Sequence, residues 1–206
     1  MSEFWRQMVH LGGLFFIIIA QFTGKFIASA VFFLIAIAFL FYSEFVRKEK
    51  GFFGPVKNLE QRLRGFAFRL DRKEGIPFLG AFWFYFALGL AFLIFPLEVA
   101  TASGLILSVG DSLSTLVGLK YGKHKIIGRK SLEGSVVFFI SSFLVTAIFL
   151  GSLVAFLGSI SATFLELVPE SEKVRKWKRK EIVNDNWIVT LLSGLIIYFT
   201  KTLTAG

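Results

Sequence analysis

Apolar stretches long enough to cross a lipid bilayer recur along this chain, and they constrain its fold more than any other feature. Seven can be read, at about 4–22, 26–45, 76–97, 99–119, 132–150, 152–168 and 187–203. Each approaches the roughly 20 residues that a helix needs to span the hydrocarbon core. Because 55% of the 206 residues are hydrophobic, more than a soluble domain of this size carries, we expect a single all-α integral membrane domain over residues 1–206, a polytopic bundle of about seven transmembrane helices.

The basic side chains are concentrated in three of the connections between these spans. Most of the 23 Lys and Arg residues fall in residues 46–75, 120–131 and 169–186. With seven spans, all three connections lie on one side, and the positive-inside rule places that side and the N-terminus in the cytoplasm. The net charge of +9 is then explained by topology, so we expect no nucleic-acid partner. The expected location is the cell membrane of a prokaryote or an endoplasmic-reticulum-type membrane of a eukaryote.

Residues 46–75 form the longest polar connection. Within them, apolar residues recur every three or four positions, with basic residues on the other face: Val56, Leu59, Leu63, Phe66 and Leu70. This spacing predicts an amphipathic helix lying on an anionic membrane surface. Its role is anchoring and orientation or, alternatively, that of a lid over an active site.

The fourth span carries polar and small residues at helical spacing: Thr101, Gly104, Ser108, Asp111, Thr115 and Gly118. Small residues let helices pack closely, which accounts for the glycines and serines structurally. Asp111 is different, because a carboxylate within a span costs roughly 2.5–3.5 kcal/mol on insertion. It predicts a functional site, with a packed, hydrogen-bonded structural role as the alternative.

The connection after this span combines glycines with basic side chains. Its candidate nucleotide-binding residues are Gly122, Lys123, Lys130, Ser131 and Gly134. Ser131 opens the fifth span, and the free N–H groups and dipole of a helix N-terminus favour phosphate. The spacing does not match a P-loop. We therefore predict a nucleotide-binding loop of another kind at residues 120–134.

Further acidic residues lie at span ends. Glu133 lies two residues after Ser131, and Glu166 is near the end of the sixth span. Asn184, Asp185 and Asn186 open the seventh span, where they could also cap a helix. If the helices bundle, these carboxylates and Asp111 could gather at one membrane boundary. Carboxylate oxygens hold Mg²⁺ while cations and N–H groups hold phosphates, so the set suits a magnesium nucleotide.

Three motifs in order resemble the CTP-dependent polyprenol kinase family, which includes dolichol kinase, phytol kinase and the CTP-using diacylglycerol kinase. They are Gly110-Asp111-Ser112 with Gly118, then Gly122-Lys123 with Lys130-Ser131-Leu132-Glu133-Gly134-Ser135, and finally Asp185-Asn186. Arg6, His10 and Gly13 are similar to the family's opening pattern. The resemblance covers nearly the whole chain. It implies transfer of the γ-phosphoryl group of CTP to a lipid hydroxyl of the polyprenol type at the cytoplasmic membrane face, with Mg²⁺ or another divalent cation.

The expected partners are accordingly CTP, a lipid alcohol and membrane lipids, with the oligomeric state left open. The resemblance and the reasoning above assign three sets of residues. Expected catalytic residues and metal ligands are Asp111, Glu133 and Asp185. Expected nucleotide contacts are Gly122, Lys123, Lys130, Ser131, Gly134 and Asn186, and supporting roles are expected for Arg6, His10, Ser108, Thr115 and Glu166. Which carboxylate holds the metal and which accepts the hydroxyl proton stays open.

Two other functions remain as alternatives. A CDP-lipid synthase would also use CTP and a Gly-Asp motif within a span, but the Lys-Asp and paired acidic signatures of that class are missing here. A small transporter would use Asp111 as an ion or proton site. Transporters often carry inverted repeats, and the Gly110-Asp111-Ser112 pattern has no second copy in this chain.

Overall fold

A computed structural model describes residues 2–47, 78–170 and 184–204. Eight α-helices occupy most of these residues: α1 Ser2–Thr23, α2 Lys25–Arg47, α3 Leu79–Ile94, α4 Leu97–Leu105, α5 Ser112–Tyr121, α6 Leu132–Ala147, α7 Ser152–Leu167 and α8 Asp185–Thr204. A π-helical turn, Ile106–Asp111, joins α4 to α5 without a break, and a 3₁₀ turn, Val168–Glu170, follows α7. Strands β1 (Lys125–Ile127) and β2 (Lys130–Ser131) form a small antiparallel hairpin before α6.

The prediction of an all-α bundle is confirmed, with the small hairpin as an addition. Within the described ranges, three helical segments are long and apolar enough to cross a membrane: Lys25–Ser43, Leu97–Tyr121 and Asp185–Thr204. Four apolar segments are shorter, namely Gln7–Thr23, Leu79–Ile94, Leu132–Ala147 and Ser152–Leu167. Seven elements therefore match the seven predicted spans in position, whereas by length only three of them qualify as spans in this part of the chain.

Two local backbone features separate consecutive helices of the chain. Gly24 separates α1 from α2 with a φ of 84°, a left-handed conformation that glycine adopts without steric cost and that commonly ends a helix. Pro96 precedes α4, and Phe95 before it is extended at φ −88° and ψ 160°. A residue before proline is driven out of the helical region, so α3 ends at Ile94 and a separate helix, α4, begins at Leu97.

The segment Leu97–Tyr121 is the central helix of the bundle. Of its most apolar stretch 61% is buried, against 28% for Lys25–Ser43 and 33% for Asp185–Thr204. It packs against α1, α6 and α8, while α2 packs on α3, and α7 packs between α6 and α8. Asp111 therefore lies on the most enclosed helix.

The peripheral helices present large apolar side chains outward. Phe15, Phe22, Leu34, Phe164 and Leu203 are all more than half exposed. A water-soluble surface rarely carries so much contiguous apolar area, whereas lipid tails accept it. The amphipathic helix predicted within residues 46–75, from the pattern Val56 to Leu70, lies outside the described residues.

The π-helical turn changes which residues of the central helix face the bundle. Up to Asp111, the predicted stripe is buried, including Ser108. The extra residue per turn of a π segment shifts the helical phase, so α5 buries Ser112 and Ser114 while Thr115 and Gly118 are only half-buried. Straight 3.6-residue spacing placed Thr115 on the buried stripe, and the structure places Ser114 there instead.

Candidate active site

The β hairpin brings Lys130 back against the bundle. Its turn is Gly128-Arg129, with Gly128 at a φ of 56°, and a glycine with positive φ is the usual requirement of a two-residue hairpin turn. Leu132 N donates to His124 O at 2.8 Å, which closes the base of the hairpin. Lys130 therefore leaves the hairpin only two residues before α6 begins.

Four side chains gather near the Lys130 ammonium, and together with Lys130 we refer to them as the lysine cluster: His10 of α1, Asp111 and Ser114 of the central helix, and Glu166 of α7. Lys130 Nζ lies 2.6 Å from Glu166 Oε1 and 3.9 Å from Asp111 Oδ1. Ser114 Oγ lies 3.0 Å from Glu166 Oε1, to which it donates. The cluster thus gathers one cation and two carboxylates that are more than 50 positions apart in the chain.

Lys130 stays charged in this setting. Burial alone would lower its pKa, but Glu166 and then Asp111 and Asp185 raise it above its ordinary value. A favourable opposite charge within a few ångströms outweighs desolvation when the geometry is close. Asp185, at the start of α8, therefore belongs to the electrostatic surroundings of the cluster.

His10 completes the cluster on the α1 side. Its ring stacks on Phe84 with centroids 4.3 Å apart, and Nδ1 lies 3.3 Å from Asp111 Oδ2. Gly13, one turn later, allows this packing, because a Cβ there would meet the Phe84 ring at 2.7 Å. The opening pattern of Arg6, His10 and Gly13 is therefore explained in part by α1 packing against Phe84. Arg6 lies in α1, and its side chain is outside the described part of the structure.

Glu166 is the most buried carboxylate of the cluster. The residue is 1% exposed. Its Oε1 accepts hydrogen bonds from Lys130 Nζ and Ser114 Oγ, but its Oε2 has no hydrogen-bond partner. A buried acceptor without a donor costs about 1–3 kcal/mol, and more when it is charged. Glu166 was expected only in a supporting role, yet the structure places it at the centre of the cluster.

The glycines of the loop pack the end of α5 against the start of α6. A Cβ on Gly122 would come within 2.2 Å of Gly118 O and 2.5 Å of Ser131 Oγ. A Cβ on Gly134 would meet Ser114 O at 3.0 Å. Ser131 caps α6, accepting a hydrogen bond from Gly134 N at 3.2 Å. These three predicted nucleotide contacts hold the hairpin in place, and their contact with a nucleotide stays a prediction.

Glu133 faces the hairpin rather than the lysine cluster. Its Oε1 lies 2.7 Å from His124 Nδ1, and its two oxygens accept from His124 N at 3.2 and 3.3 Å. Lys123 is exposed beside it. Of the three predicted metal ligands, Asp111 and Asp185 therefore share the surroundings of Lys130, whereas Glu133 and Lys123 lie on the outer part of the loop.

The Asp-Asn pair at the start of α8 combines a cap with an inter-helix contact. Asn184 Oδ1 accepts from Asn186 N at 2.9 Å and so caps the helix. Asn186 is buried, and its Nδ2 donates to Gly80 O at 3.1 Å, joining α8 to α3. The capping that the sequence suggested for this segment is present, and Asn184 provides it.

Two further expected residues lie on the central helix. Ser108 is fully buried beside Gly13, and its Oγ has no hydrogen-bond partner, whereas Thr115 is half-buried after the π-helical turn. Ser114 and His124 were not anticipated. The Gly128-Arg129 pair between apolar and basic residues was a hairpin signal that the sequence offered, but no sequence pattern pointed to the pairing of Ser114 with Glu166.

The carboxylates do not form a ready-made metal cage. In residues 2–47, 78–170 and 184–204, no three His, Asp or Glu side chains converge in a metal-binding arrangement. Magnesium bound with a nucleotide commonly uses one or two carboxylates plus phosphate oxygens and water. Asp111, with Asp185 near the same lysine, fits that smaller requirement.

Comparison with known proteins gives three relatives. A phytol kinase of Synechocystis is 31% identical over 134 residues, 62% of this chain and 57% of that protein. Uncharacterized proteins of Methanocaldococcus jannaschii and Rickettsia prowazekii are 36% identical over 117 residues and 26% identical over 197 residues; these cover 55% and 90% of this chain and 56% and 88% of the relatives. The chain thus spans little more than half the length of the first two. No family model and no solved structure matches.

Proposed function

From the similarity to a phytol kinase and the lysine cluster, we propose that this protein is a lipid alcohol kinase that transfers the γ-phosphoryl group of CTP to a polyprenol-type hydroxyl. The observation that carries the proposal is the Lys130 ammonium, which lies 2.6 Å from Glu166 and 3.9 Å from Asp111 in a bundle with an apolar exterior. Phosphoryl transfer needs positioning and charge neutralisation more than covalent chemistry. A charged lysine beside two carboxylates supplies both signs of charge.

Lys130 is proposed to bind the transferred phosphoryl group. Its ammonium is a point charge with three donors, two of which the carboxylates of the cluster can engage. A triphosphate entering beside the hairpin would compete for this cation, and the basic side chains of the same loop, including the exposed Lys123 and Lys125, would hold the outer phosphates. Gly122, Ser131, Gly134 and Asn186 are proposed to shape this site.

The metal is proposed to bind at Asp111 together with Asp185. Asp111 and Asp185 would hold a magnesium ion there, and its positive charge would neutralise the phosphates. Glu133 is a third proposed ligand, although it pairs with His124 in this structure. The active site is proposed to face the cytoplasm, because Lys130 and the other basic residues of 120–131 lie at this end.

The test uses detergent-purified protein, Mg²⁺ and γ-labelled CTP, with ATP in parallel. Phytol, dolichol, geranylgeraniol and diacylglycerol are offered separately, and label is followed into the organic phase. We expect label in one of these alcohols, no label with Asp111→Asn, and no label after chelation of the metal. An Asp111→Asn protein with an unchanged elution volume and melting temperature serves as the folding control.

Two results would contradict the proposal. Folded protein that labels no alcohol with either nucleotide rules out the kinase. Incorporation of α-labelled CTP into a phosphorylated lipid, with release of diphosphate, would instead identify a CDP-lipid synthase. If neither reaction occurs, ion flux in proteoliposomes tests the remaining transporter alternative.

A further inference from the structure

One oxygen of the Glu166 carboxylate accepts hydrogen bonds, and the other has no hydrogen-bond partner. Oε1 accepts hydrogen bonds from Lys130 Nζ at 2.6 Å and from Ser114 Oγ at 3.0 Å, whereas Oε2 is buried and no donor lies near it. The whole residue is 1% exposed. Because a buried carboxylate oxygen is a strong acceptor and costs energy when unpaired, this oxygen is suited to receive a donor that enters with a ligand.

Asp111 does not offer the same opening. Its Oδ2 faces His10 Nδ1 at 3.3 Å, and its Oδ1 faces Lys130 at 3.9 Å. Both oxygens therefore have polar neighbours on known sides. The two carboxylates of the cluster therefore suit different roles. Asp111 is suited to hold a cation or metal, and Glu166 is suited to accept the hydrogen of a hydroxyl group.

The position of Glu166 along α7 fits an amphiphilic donor. Glu166 is next to the last residue of α7, Leu167, and therefore lies at a helix end rather than in the middle of the bundle. Val168, two residues beyond Glu166 in the 3₁₀ turn, is 42% exposed, so outward-facing apolar surface lies next to this end of α7. A molecule with a hydroxyl at one end and a long apolar tail could place its tail against this surface and its hydroxyl near the carboxylate.

We infer that Glu166 is a catalytic residue that binds the acceptor: its Oε2 accepts the hydroxyl hydrogen of the lipid alcohol and takes the proton during transfer. The inference rests on the proposed function. The alcohol oxygen forms a bond to the γ-phosphorus, and the bond from that phosphorus to the β–γ bridging oxygen breaks. The nucleoside diphosphate leaves with the electron pair, and the hydroxyl proton passes to Glu166 Oε2 and then to water.

Glu166→Gln tests this assignment at a single atom. The amide oxygen can still accept from Lys130 and Ser114, while the open acceptor becomes an NH₂ donor. Ser159→Ala is the matched control, because Ser159 lies two turns earlier on α7, is fully buried and has an unpartnered hydroxyl. Transfer to the alcohol is measured at saturating nucleotide, and binding of a labelled non-hydrolysable nucleotide is measured separately.

We expect Glu166→Gln to lower kcat for the alcohol by about 10²–10⁴-fold, the usual size of a lost general base, without weakening nucleotide binding. Glu166→Asp should recover part of the loss, and Ser159→Ala should behave as wild type. Alcohol transfer retained by Glu166→Gln would overturn the inference. A loss of nucleotide binding by the same factor as transfer would also overturn it, because Glu166 would then act only as the counter-ion of Lys130.

A binding measurement separates this inference from the proposed function. Tritiated phytol is bound to wild type and Glu166→Gln in detergent micelles without nucleotide. We expect the variant to bind more weakly, and equal binding by the two proteins contradicts the assignment. If the wild type binds phytol through Glu166 but labels no alcohol with any nucleotide, the kinase proposal fails while the alcohol site stands.

Discussion

The two ends of the bundle use the same residue types in different ways. At the end with the lysine cluster, Lys130 lies within 3.9 Å of two buried carboxylates, Asp111 and Glu166, and Glu166 Oε2 has no hydrogen-bond partner. At the other end, Lys201 pairs with Glu98 and Lys25 donates to Phe95 O at 3.2 Å. These contacts are simple one-to-one links between neighbouring helices.

The difference indicates which end carries chemistry. Exposed one-to-one ion pairs add little stability, typically up to about 1 kcal/mol. A buried group of unequal charges is costly to assemble and is rarely retained for stability alone. Although Lys201 is a charged residue within the last predicted span, its role is therefore to link α8 to α4 through Glu98. Lys130, in contrast, belongs to a candidate site.

The largest expected effect comes from comparing changes at two carboxylates of the central helix, Asp111 and Glu98. Asp111→Asn should lower phosphoryl transfer by about 10²–10⁴-fold, since it removes a charged ligand of the proposed metal, which neutralises the phosphates. Glu98→Gln changes an exposed carboxylate on the same segment and should leave transfer unchanged. Initial rates of both proteins under the same labelled-nucleotide conditions provide the measurement. Equal losses in the two variants would remove the functional distinction between the ends.

The next comparison concerns the two lysines. Lys130→Met leaves Glu166 and Asp111 buried without their cation and should lower the free energy of unfolding by about 3 kcal/mol, the lower part of the range for breaking a buried pair. Lys201→Met breaks a pair whose side chains are 39% and 59% exposed, and should cost at most about 1 kcal/mol. Reversible unfolding in mixed detergent micelles measures both. A smaller loss for Lys130→Met than for Lys201→Met would contradict the burial argument.

A glycine pair tests whether the hairpin depends on close packing. Gly122→Ala places a methyl group against Gly118 O and Ser131 Oγ and should cost about 1–3 kcal/mol, with reduced transfer because the hairpin carries Lys130. Gly151→Ala, where no atom lies within 4 Å of the added Cβ, should be neutral. The same unfolding assay compares them. If Gly122→Ala is as stable as wild type, the hairpin is not held by this contact.

The smallest expected effect is on the pH dependence of the Lys130 contribution. Its folded-state pKa is raised, so the stability it provides is complete below its unfolded pKa and is lost only as pH rises through the higher folded value. The destabilisation of Lys130→Met should therefore be constant between about pH 6 and pH 9, well below the ordinary lysine pKa. Melting temperatures of variant and wild type across this range provide the check. A difference that shrinks toward pH 9 would show that Lys130 titrates there.

Much of the fold was predictable because the lengths of apolar segments and the positions of charged residues can be read from neighbouring residues in the sequence. The positions of the helices followed from runs of apolar residues, and Asp111 stood out because a carboxylate is costly within a span. The prominence of Glu166 was not predictable, since its neighbours Lys130 and Ser114 are 36 and 52 residues away. Glu133 was expected with Asp111, but the hairpin turn directs it to His124 instead.

The sequence by itself determined that this chain is an all-α bundle with an apolar exterior, where its helices lie, and that Asp111 and the loop at 120–134 are its chemically unusual parts. Those properties depend on single residues and their immediate neighbours. Only the tertiary structure decided which carboxylates share Lys130, which glycines are packing contacts, and where the π-helical turn replaces Thr115 by Ser114 on the buried face. Such choices depend on the phase and packing of helices distant in sequence, because a one-residue shift turns a helix by about 100°.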